Sequence, residues 1–265
     1  MAGMRAVLVR ELRAVFTTPL AWSALGAFSL VTALLFWLEL LSFEQAQERA
    51  LAVNDPQLLA LLDFNDLLLG SVLNHAQVLL IFVVPLFTMR LFADEARQGS
   101  LDLLLSSPVR TSAVVAGKIG SVVVVVVAAG ALLLVYPLLL QVFGRAVIDG
   151  DGVVDWAQAV SGVLGVVACG ALYASLGAAI SASTASPAAA ALVTALVLVG
   201  LWFGGSAASG LEGIAGPALS WLAPQSHVER LARGIVALPD LVYFASGVGA
   251  LSFITALQFD ARRRA

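Results

Sequence analysis

A phosphate-binding loop would be the most direct sign of chemistry in this chain of 265 residues. Such a loop needs the pattern G-x-x-x-x-G-K-[ST], whose glycines let the backbone approach phosphates that the lysine contacts. The chain has a single Gly-Lys pair, Gly117-Lys118, with Ile119 after it and Ser112 at the first glycine position. The sequence therefore predicts no cofactor on this chain, and any energy source would lie on another polypeptide.

Hydrolytic chemistry has equally little support. An intramembrane hydrolase needs a base beside a nucleophile, or a cluster of metal ligands. The chain has one cysteine, Cys169, and two histidines, His75 and His227, and it lacks both H-E-x-x-H and G-x-S-x-G. We predict that Cys169 is a packed small residue, that the histidines are polar residues near the membrane interface, and that the chain has no metal site and no enzymatic activity.

The composition indicates that the chain is embedded in a lipid bilayer. Hydrophobic residues make up 60% of it, charged residues only 12%, and the mean hydropathy is +0.98. Soluble domains average about 25% charged residues. The net charge of −3 argues against a nucleic-acid partner. Because a backbone inside lipid must satisfy its own hydrogen bonds, we predict an all-α membrane protein.

Six apolar segments are long enough to cross the hydrocarbon core, which needs about 20 residues for each helix. They are residues 20–41, 72–92, 113–142, 156–180, 187–203 and 241–259. Residues 206–239 are apolar but interrupted by Gly, Pro and charges, which predicts short re-entrant helices on the outer side. The whole chain, 1–265, is thus predicted to be a single transmembrane domain.

Residues 1–18 predict an interfacial helix at the membrane surface. Met4, Leu8 and Leu12 fall on one apolar stripe, with Arg10 on the opposite side. Glu11 lies at the edge of the apolar stripe, so the amphipathic pattern is imperfect. The alternative is a basic segment that flanks the first span and happens to be helical.

The distribution of basic residues predicts the orientation. With the N-terminus inside, ten of the fourteen Lys and Arg residues fall on the inner side. They are Arg5, Arg10, Arg13, Arg90, Arg97, Arg110, Lys118, Arg262, Arg263 and Arg264, against Arg49, Arg145, Arg230 and Arg233 outside. By the positive-inside rule, both termini are predicted to be cytoplasmic.

Segment 94–108, between the second and third spans, is the most informative stretch. Gly99 can end one helix in a left-handed turn, and Ser100 can cap another that Pro108 ends. Its leucines give that short helix an apolar surface outside the bilayer, which suits a groove on a partner; the alternative is an inner loop packed under the bundle. The candidate coupling residues are Asp94, Glu95, Arg97, Gln98, Gly99, Ser100, Leu101, Asp102, Leu103, Leu104 and Pro108.

This segment resembles the signature E-x-x-x-G-[ST]-L-[ED]-L-L-L-[ST]-x-P of ABC-2 type permeases, the membrane subunits of one class of ABC transporters. The matching residues are Glu95, Gly99, Ser100, Leu101, Asp102, Leu103, Leu104, Leu105, Ser106 and Pro108, and Gly117-Lys118 follows where that family has a G-K pair. Residues 226–244 resemble the segment before the last span in the gliding-motility and copper-enzyme-maturation branch. There the matching residues are His227, Glu229, Gly234, Asp240, Tyr243 and Phe244.

The resemblance implies a permease that pairs with a second permease subunit, as a homodimer or heterodimer, above two ABC ATPase subunits. Segment 94–108 would be the coupling helix, residues 1–18 the elbow helix and residues 206–239 the outer re-entrant helices. Closure of the ATPases on ATP would switch the spans between inward-open and outward-open states. The implied location is the inner membrane of a bacterial or archaeal cell, and the implied direction is export.

The spans show no polar constellation that identifies a substrate. Glu39, near the outer end of the first span, is the one carboxylate at membrane depth, and it is either part of a pathway or simply solvated. In the outer region, His227, Glu229 and Asp240 are the candidate residues. A non-transporting scaffold or assembly factor coupled to an ATPase is the alternative function. An energy-independent channel would need more charge inside the spans.

Overall fold

A computed structural model of the chain describes residues 2–53, 65–99, 109–143, 154–207, 210 and 214–264. Within these ranges every regular element is a helix. Six helical stretches are long and apolar enough to cross a membrane: Pro19–Val53, Asn65–Gln98, Thr111–Phe143, Trp156–Ser183, Pro187–Ala207 and Leu238–Arg263. The predicted all-α membrane fold with six spans is therefore confirmed.

The described helices are numbered in chain order. In chain order they are α1 (Ala2–Thr17), α2 (Pro19–Val53), α3 (Gly70–Thr88, preceded by a π-helical turn at Asn65–Leu69), α4 (Ala93–Gln98), α5 (Thr111–Leu133), α6 (Val135–Phe143), α7 (Trp156–Ser183), α8 (Pro187–Ala207), α9 (Ala215–Leu222), α10 (Pro224–Ala232) and α11 (Leu238–Arg264). Helix α2 runs well beyond the predicted span 20–41. The predicted span 113–142 is divided at Leu134, next to Pro137, whose ring nitrogen has no hydrogen to donate.

Helix α7 lies at the centre of the bundle. About two thirds of its apolar stretch (67%) is buried, against 17% for α8, and α7 packs on α3, α5, α10 and α11. Small residues make this close packing possible. A Cβ added to Gly170 would come within 2.4 Å of Val126 Cγ1, and one added to Gly177 within 2.3 Å of Thr88 Oγ1. As predicted, Cys169, next to Gly170, is fully buried.

The two ends of α7 face two different groups of short helices. Near its C-terminal end, Ser181 contacts the turn before α4, and α1 lies across the start of α5. Near its N-terminal end, Ser161 Oγ donates a hydrogen bond to the Leu231 carbonyl oxygen of α10 at 2.9 Å. We refer to the first as the Lys118 end of the bundle and to the second as the opposite end.

Candidate coupling site

A buried lysine occupies the Lys118 end of the bundle. Lys118 lies about two turns into α5 and is only 1% exposed. Its Nζ lies 3.2 Å from Glu11 Oε1 of α1 and 2.9 Å from Glu95 Oε1 of α4, and it donates a hydrogen bond to the Leu91 carbonyl oxygen at 2.6 Å. An unpaired ammonium would cost several kcal/mol to bury. The burial of Lys118 therefore depends on helices α1 and α4.

Arg10 completes a group of alternating charges. Its guanidinium lies 2.6 Å from Glu11 Oε1 and 3.1 Å from Glu95 Oε1. We call Arg10, Glu11, Glu95 and Lys118 the Lys118 cluster. Burial by itself would raise the pKa of Glu11, but the charge of Lys118 and the hydrogen bond and charge of Arg10 outweigh it, so the pKa is lower than usual. The carboxylate of Glu11 is thus held in its charged form.

A glycine beside the lysine lets two helices touch. A Cβ added to Gly117 would lie 2.9 Å from Val7 Cγ1 and 3.2 Å from the Leu8 backbone nitrogen. Real Cβ contacts are longer than this, so any larger residue would push α1 off α5. The two residues of the Gly-Lys pair therefore have separate roles: Gly117 lets the backbone of α1 lie close to α5, and Lys118 pairs with the Glu11 carboxylate of α1.

The turn that leads into α4 is fastened to the central helix. Ser181 Oγ accepts hydrogen bonds from the backbone N–H groups of Phe92 and Ala93, at 3.2 and 3.1 Å, and donates one to the Met89 carbonyl oxygen at 3.3 Å. A hydroxyl group has one donor and two acceptor sites, so all of its capacity is used. The start of α4 is therefore held to α7 as well as to α5.

A second polar cluster lies at the opposite end, where α10 meets α11. His227 Nδ1 lies 2.6 Å from Asp240 Oδ1, and both residues are almost fully buried, at 1% and 0% exposure. Nε2 lies 2.9 Å from the Trp221 carbonyl oxygen, which only accepts, so Nε2 carries a hydrogen and donates it. Arg230 Nε donates to Asp240 Oδ2 at 3.1 Å. The imidazole ring stacks on Tyr243, with the ring centroids 3.9 Å apart.

Comparison with protein families matches residues 5–259 to the family described as "ABC-2 family transporter protein". The match spans nearly the whole chain and all six candidate membrane helices. The chain belongs to the ABC-2 transporter family. No curated protein matches it closely enough to be named as a relative. As a multi-pass membrane protein of this family, it is a membrane component of a transport system.

The predicted coupling residues of this ABC-2 protein fall into two groups. Of those that the structure describes, Glu95 belongs to the Lys118 cluster and Asp94 pairs with Arg97 at 2.8 Å. Gln98 is exposed, and Gly99 ends α4 with a φ of 71°, the left-handed conformation that glycine permits. The remainder, Ser100, Leu101, Asp102, Leu103, Leu104 and Pro108, lie outside the described residues.

The other predicted site residues are not near the Lys118 cluster. Glu39 Oε1 of α2 lies 3.7 Å from His75 Nδ1 of α3, with both side chains partly exposed. Of the three outer candidates, His227 and Asp240 meet, whereas Glu229 points elsewhere and pairs with Arg233 at 2.7 Å. Among the described residues of this ABC-2 protein, no group of three or more His, Cys, Asp or Glu side chains could hold a metal ion.

Sequence reasoning missed three contributors to the Lys118 cluster and its support. Arg10 and Glu11 were expected only as parts of a surface helix, and Ser181 was not among the candidate site residues. Glu11 carried a usable signal, because a carboxylate at the edge of an apolar helix stripe needs a partner. Lys118 is the only lysine of the chain and lies in the third apolar segment, so it was an available partner for this carboxylate.

Proposed function

We propose that this ABC-2 protein is the permease subunit of an ATP-driven exporter in the inner membrane of a bacterial or archaeal cell, with both termini cytoplasmic. A separate ABC ATPase would hold ATP and Mg²⁺ and would press on segment 94–108. The observation that supports this proposal is the Lys118 cluster, in which Glu95, at the start of that segment, is paired with a lysine buried in a membrane span.

The cluster gives a physical route for force. If a partner displaced α4, Glu95 would have to leave Lys118, and a buried charge left without its partner costs about 3–5 kcal/mol. Moving α1, α4 and the start of α5 together avoids that cost, because the four charges stay paired. The hydrogen bonds of Ser181 extend the same unit to α7. A push on segment 94–108 would therefore tilt the bundle as a body rather than bend one loop.

A second permease copy is part of the proposal, as a homodimer or a heterodimer. Within one copy, α2 and α8 bury only 22% and 17% of their apolar stretches. Their remaining surface is available to lipid and to another subunit. We also propose that the chain falls in the gliding-motility and copper-enzyme-maturation branch of the family, which the buried pairing of His227 with Asp240 in segment 226–244 supports.

Docking of segment 94–108 is tested with a double variant, Leu103→Asp with Leu104→Asp, co-expressed with the cognate ABC ATPase. We expect the two proteins no longer to co-purify and the stimulation of ATP hydrolysis to be lost, since charges replace the apolar contact surface. Ser183→Asp is the matched control, because it adds a carboxylate at an exposed position of the same end. An undiminished complex with the double variant would disprove the docking.

The competing function is a scaffold or assembly factor that uses an ATPase without moving a solute. A scaffold would also use the Lys118 cluster and segment 94–108, so only a measurement of transport distinguishes it from an exporter. Inside-out vesicles containing both proteins should accumulate exported compounds from an extract when ATP is added, and vesicles with the Leu103→Asp, Leu104→Asp variant should not. A reporter fused after residue 265 tests the orientation and should be active only in the cytoplasm.

A further inference from the structure

A polar cavity of about 470 Å³ opens at the opposite end of the bundle, between the start of α3 and α10. Its walls carry amide and hydroxyl groups, among them Ser71, Asn74 and Gln225, together with the carboxylates of Asp66 and Glu229. Such a concentration of polar and charged side chains is unusual in a chain with only 12% charged residues. The volume lies within the range of about 300–1,000 Å³ that is typical of small-molecule sites.

The deepest wall residue presents a hydrogen-bond acceptor. Gln77 is only 1% exposed, and its Nε2 donates to the buried Cys169 sulfur at 3.3 Å. Its amide oxygen accepts no hydrogen bond from any residue that the structure describes. This oxygen is not one of the fully buried polar atoms that lack a partner, so it remains open to a molecule in the cavity. A ligand with N–H or O–H groups would supply the missing donor.

The charge of the cavity has a definite sign. Glu229 and Arg233 neutralise each other across 2.7 Å. Asp66 Oδ1 accepts a hydrogen bond from the neutral amide of Gln158 at 2.5 Å, and no salt bridge to Asp66 is found among the described residues. Among the described residues, the Asp66 carboxylate at the mouth is thus not paired with a cation. This arrangement attracts cations and repels phosphates and carboxylates.

We propose that this cavity binds a small hydrophilic molecule that carries a protonated amine. Its ammonium group donates to Asp66, its inner hydroxyl or amine groups donate to the Gln77 oxygen, and the Asn74 and Gln225 amides serve as donors or acceptors around it. All of these groups belong to one copy of the chain. The site therefore needs neither the second permease nor the ATPase, and its failure would leave the proposed coupling untouched.

Glucosamine and glucose are suitable probes, because they differ mainly in one ammonium group that replaces a hydroxyl. The full chain in detergent micelles is titrated with each sugar at neutral pH by isothermal titration calorimetry. We expect saturable binding of glucosamine, and binding of glucose about tenfold weaker or more, since a hydrogen bond to a charged group is worth at least one factor of ten. Equal binding of both sugars, or no saturable binding of glucosamine, would overturn the proposal.

Gly70 allows the cavity to be filled without disturbing the fold. It lines the cavity, and a Cβ added to it would meet nothing within 4 Å. Gly70→Leu should lower glucosamine affinity at least tenfold while the melting temperature stays the same or rises, because Gly is a poor helix former. Gly249→Leu is the control, since Gly249 in α11 also faces open space but lies away from the cavity.

Asp66→Asn tests the charge at nearly constant shape. It should weaken glucosamine about tenfold and leave glucose unchanged, because only the ammonium group uses the carboxylate. Gly70→Leu protein that binds glucosamine as tightly as wild type would place the sugar elsewhere on the molecule. An Asp66→Asn variant that weakened both sugars equally would show that charge does not select the ligand. Either result would refute the assignment.

Discussion

Glu95 Oε1 lies 2.9 Å from the Nζ of Lys118, which is 1% exposed, so the helix that begins segment 94–108 is bound by charge to a membrane span. The same nitrogen contacts Glu11 of the surface helix. Two elements outside the spans thus share one buried cation. Their positions cannot change independently unless the cation is separated from a carboxylate.

Removal of the two carboxylates should cost more than the sum of the single removals. Glu11→Gln or Glu95→Gln alone leaves Lys118 one partner, whereas the double variant leaves a buried ammonium with neither. We expect the free energy of unfolding to fall by about 1–2 kcal/mol in each single variant and by about 3–5 kcal/mol in the double variant. Thermal unfolding in detergent measures these values.

The control is the triple variant that adds Lys118→Met to the double variant. With the cation gone, no buried charge remains unpaired, and the long apolar side chain of methionine fills most of the space. Stability should therefore recover by about 2 kcal/mol or more. If the double variant proved simply additive, or if Lys118→Met made it worse, the cluster would not be the coupled unit that the distances indicate.

A larger side chain at Gly117 should separate α1 from α5. Gly117→Val places atoms within 3.2 Å of the Leu8 backbone nitrogen, which cannot rotate away as a side chain can. We expect a loss of about 1–3 kcal/mol in the free energy of unfolding. Gly120→Ala, one turn further along α5, meets only the flexible Leu8 Cδ1 at 3.4 Å and should be nearly neutral. Equal melting temperatures for the two variants would contradict the close approach.

The spans could be predicted from the sequence, but the contacts of Glu11 could not. Lipid excludes unpaired backbone groups, so a long apolar run leaves the chain no choice but a helix. Glu11 interrupts the apolar stripe of α1, which showed that it needed a partner. Nothing in the local pattern says that this partner is Lys118, 107 residues away, because long-range pairing depends on how the helices pack.

Helix geometry explains why Glu229 does not contact His227 and Asp240. His227 and Arg230 are three residues apart, so they lie on the same face of α10 and both reach Asp240. Glu229 lies on a different face and meets Arg233, one turn further along. The resemblance to a family motif grouped Glu229 with the other two, because a motif records which residues recur and not which face of a helix they occupy.

The stability contributed by Glu11 should depend on pH. The pKa of Glu11 is lowered in the folded protein, so its carboxylate stabilises the fold above the ordinary value of about 4.3, and this contribution is lost as the pH falls through the folded value. The melting temperature of wild type should exceed that of Glu11→Gln at pH 7. The difference should shrink below about pH 4. A constant difference between pH 7 and pH 3 would show that the charge of Glu11 is not responsible.

Asp240 should hold α10 against the last span. Its carboxylate is fully buried and accepts hydrogen bonds from Arg230, while His227 lies 2.6 Å away. Asp240→Ala would remove the acceptor of Arg230 and the close partner of the buried His227 ring, at a cost of about 2–4 kcal/mol. The loss should be local, so hydrogen exchange of the backbone amides should speed up in residues 224–232 more than around Lys118.

Glu229→Ala provides the control for this prediction, because it breaks another salt bridge of the same helix. The Glu229 and Arg233 side chains are 57% and 60% exposed, and a pair in water contributes less than about 1 kcal/mol. Its hydrogen exchange should stay close to that of wild type. A variant that keeps the ring contacts, His227→Phe, should fall between the two, since phenylalanine can still stack on Tyr243 but cannot bond to Asp240. Equal protection of α10 in Asp240→Ala and Glu229→Ala would mean that apolar packing alone holds this helix in place.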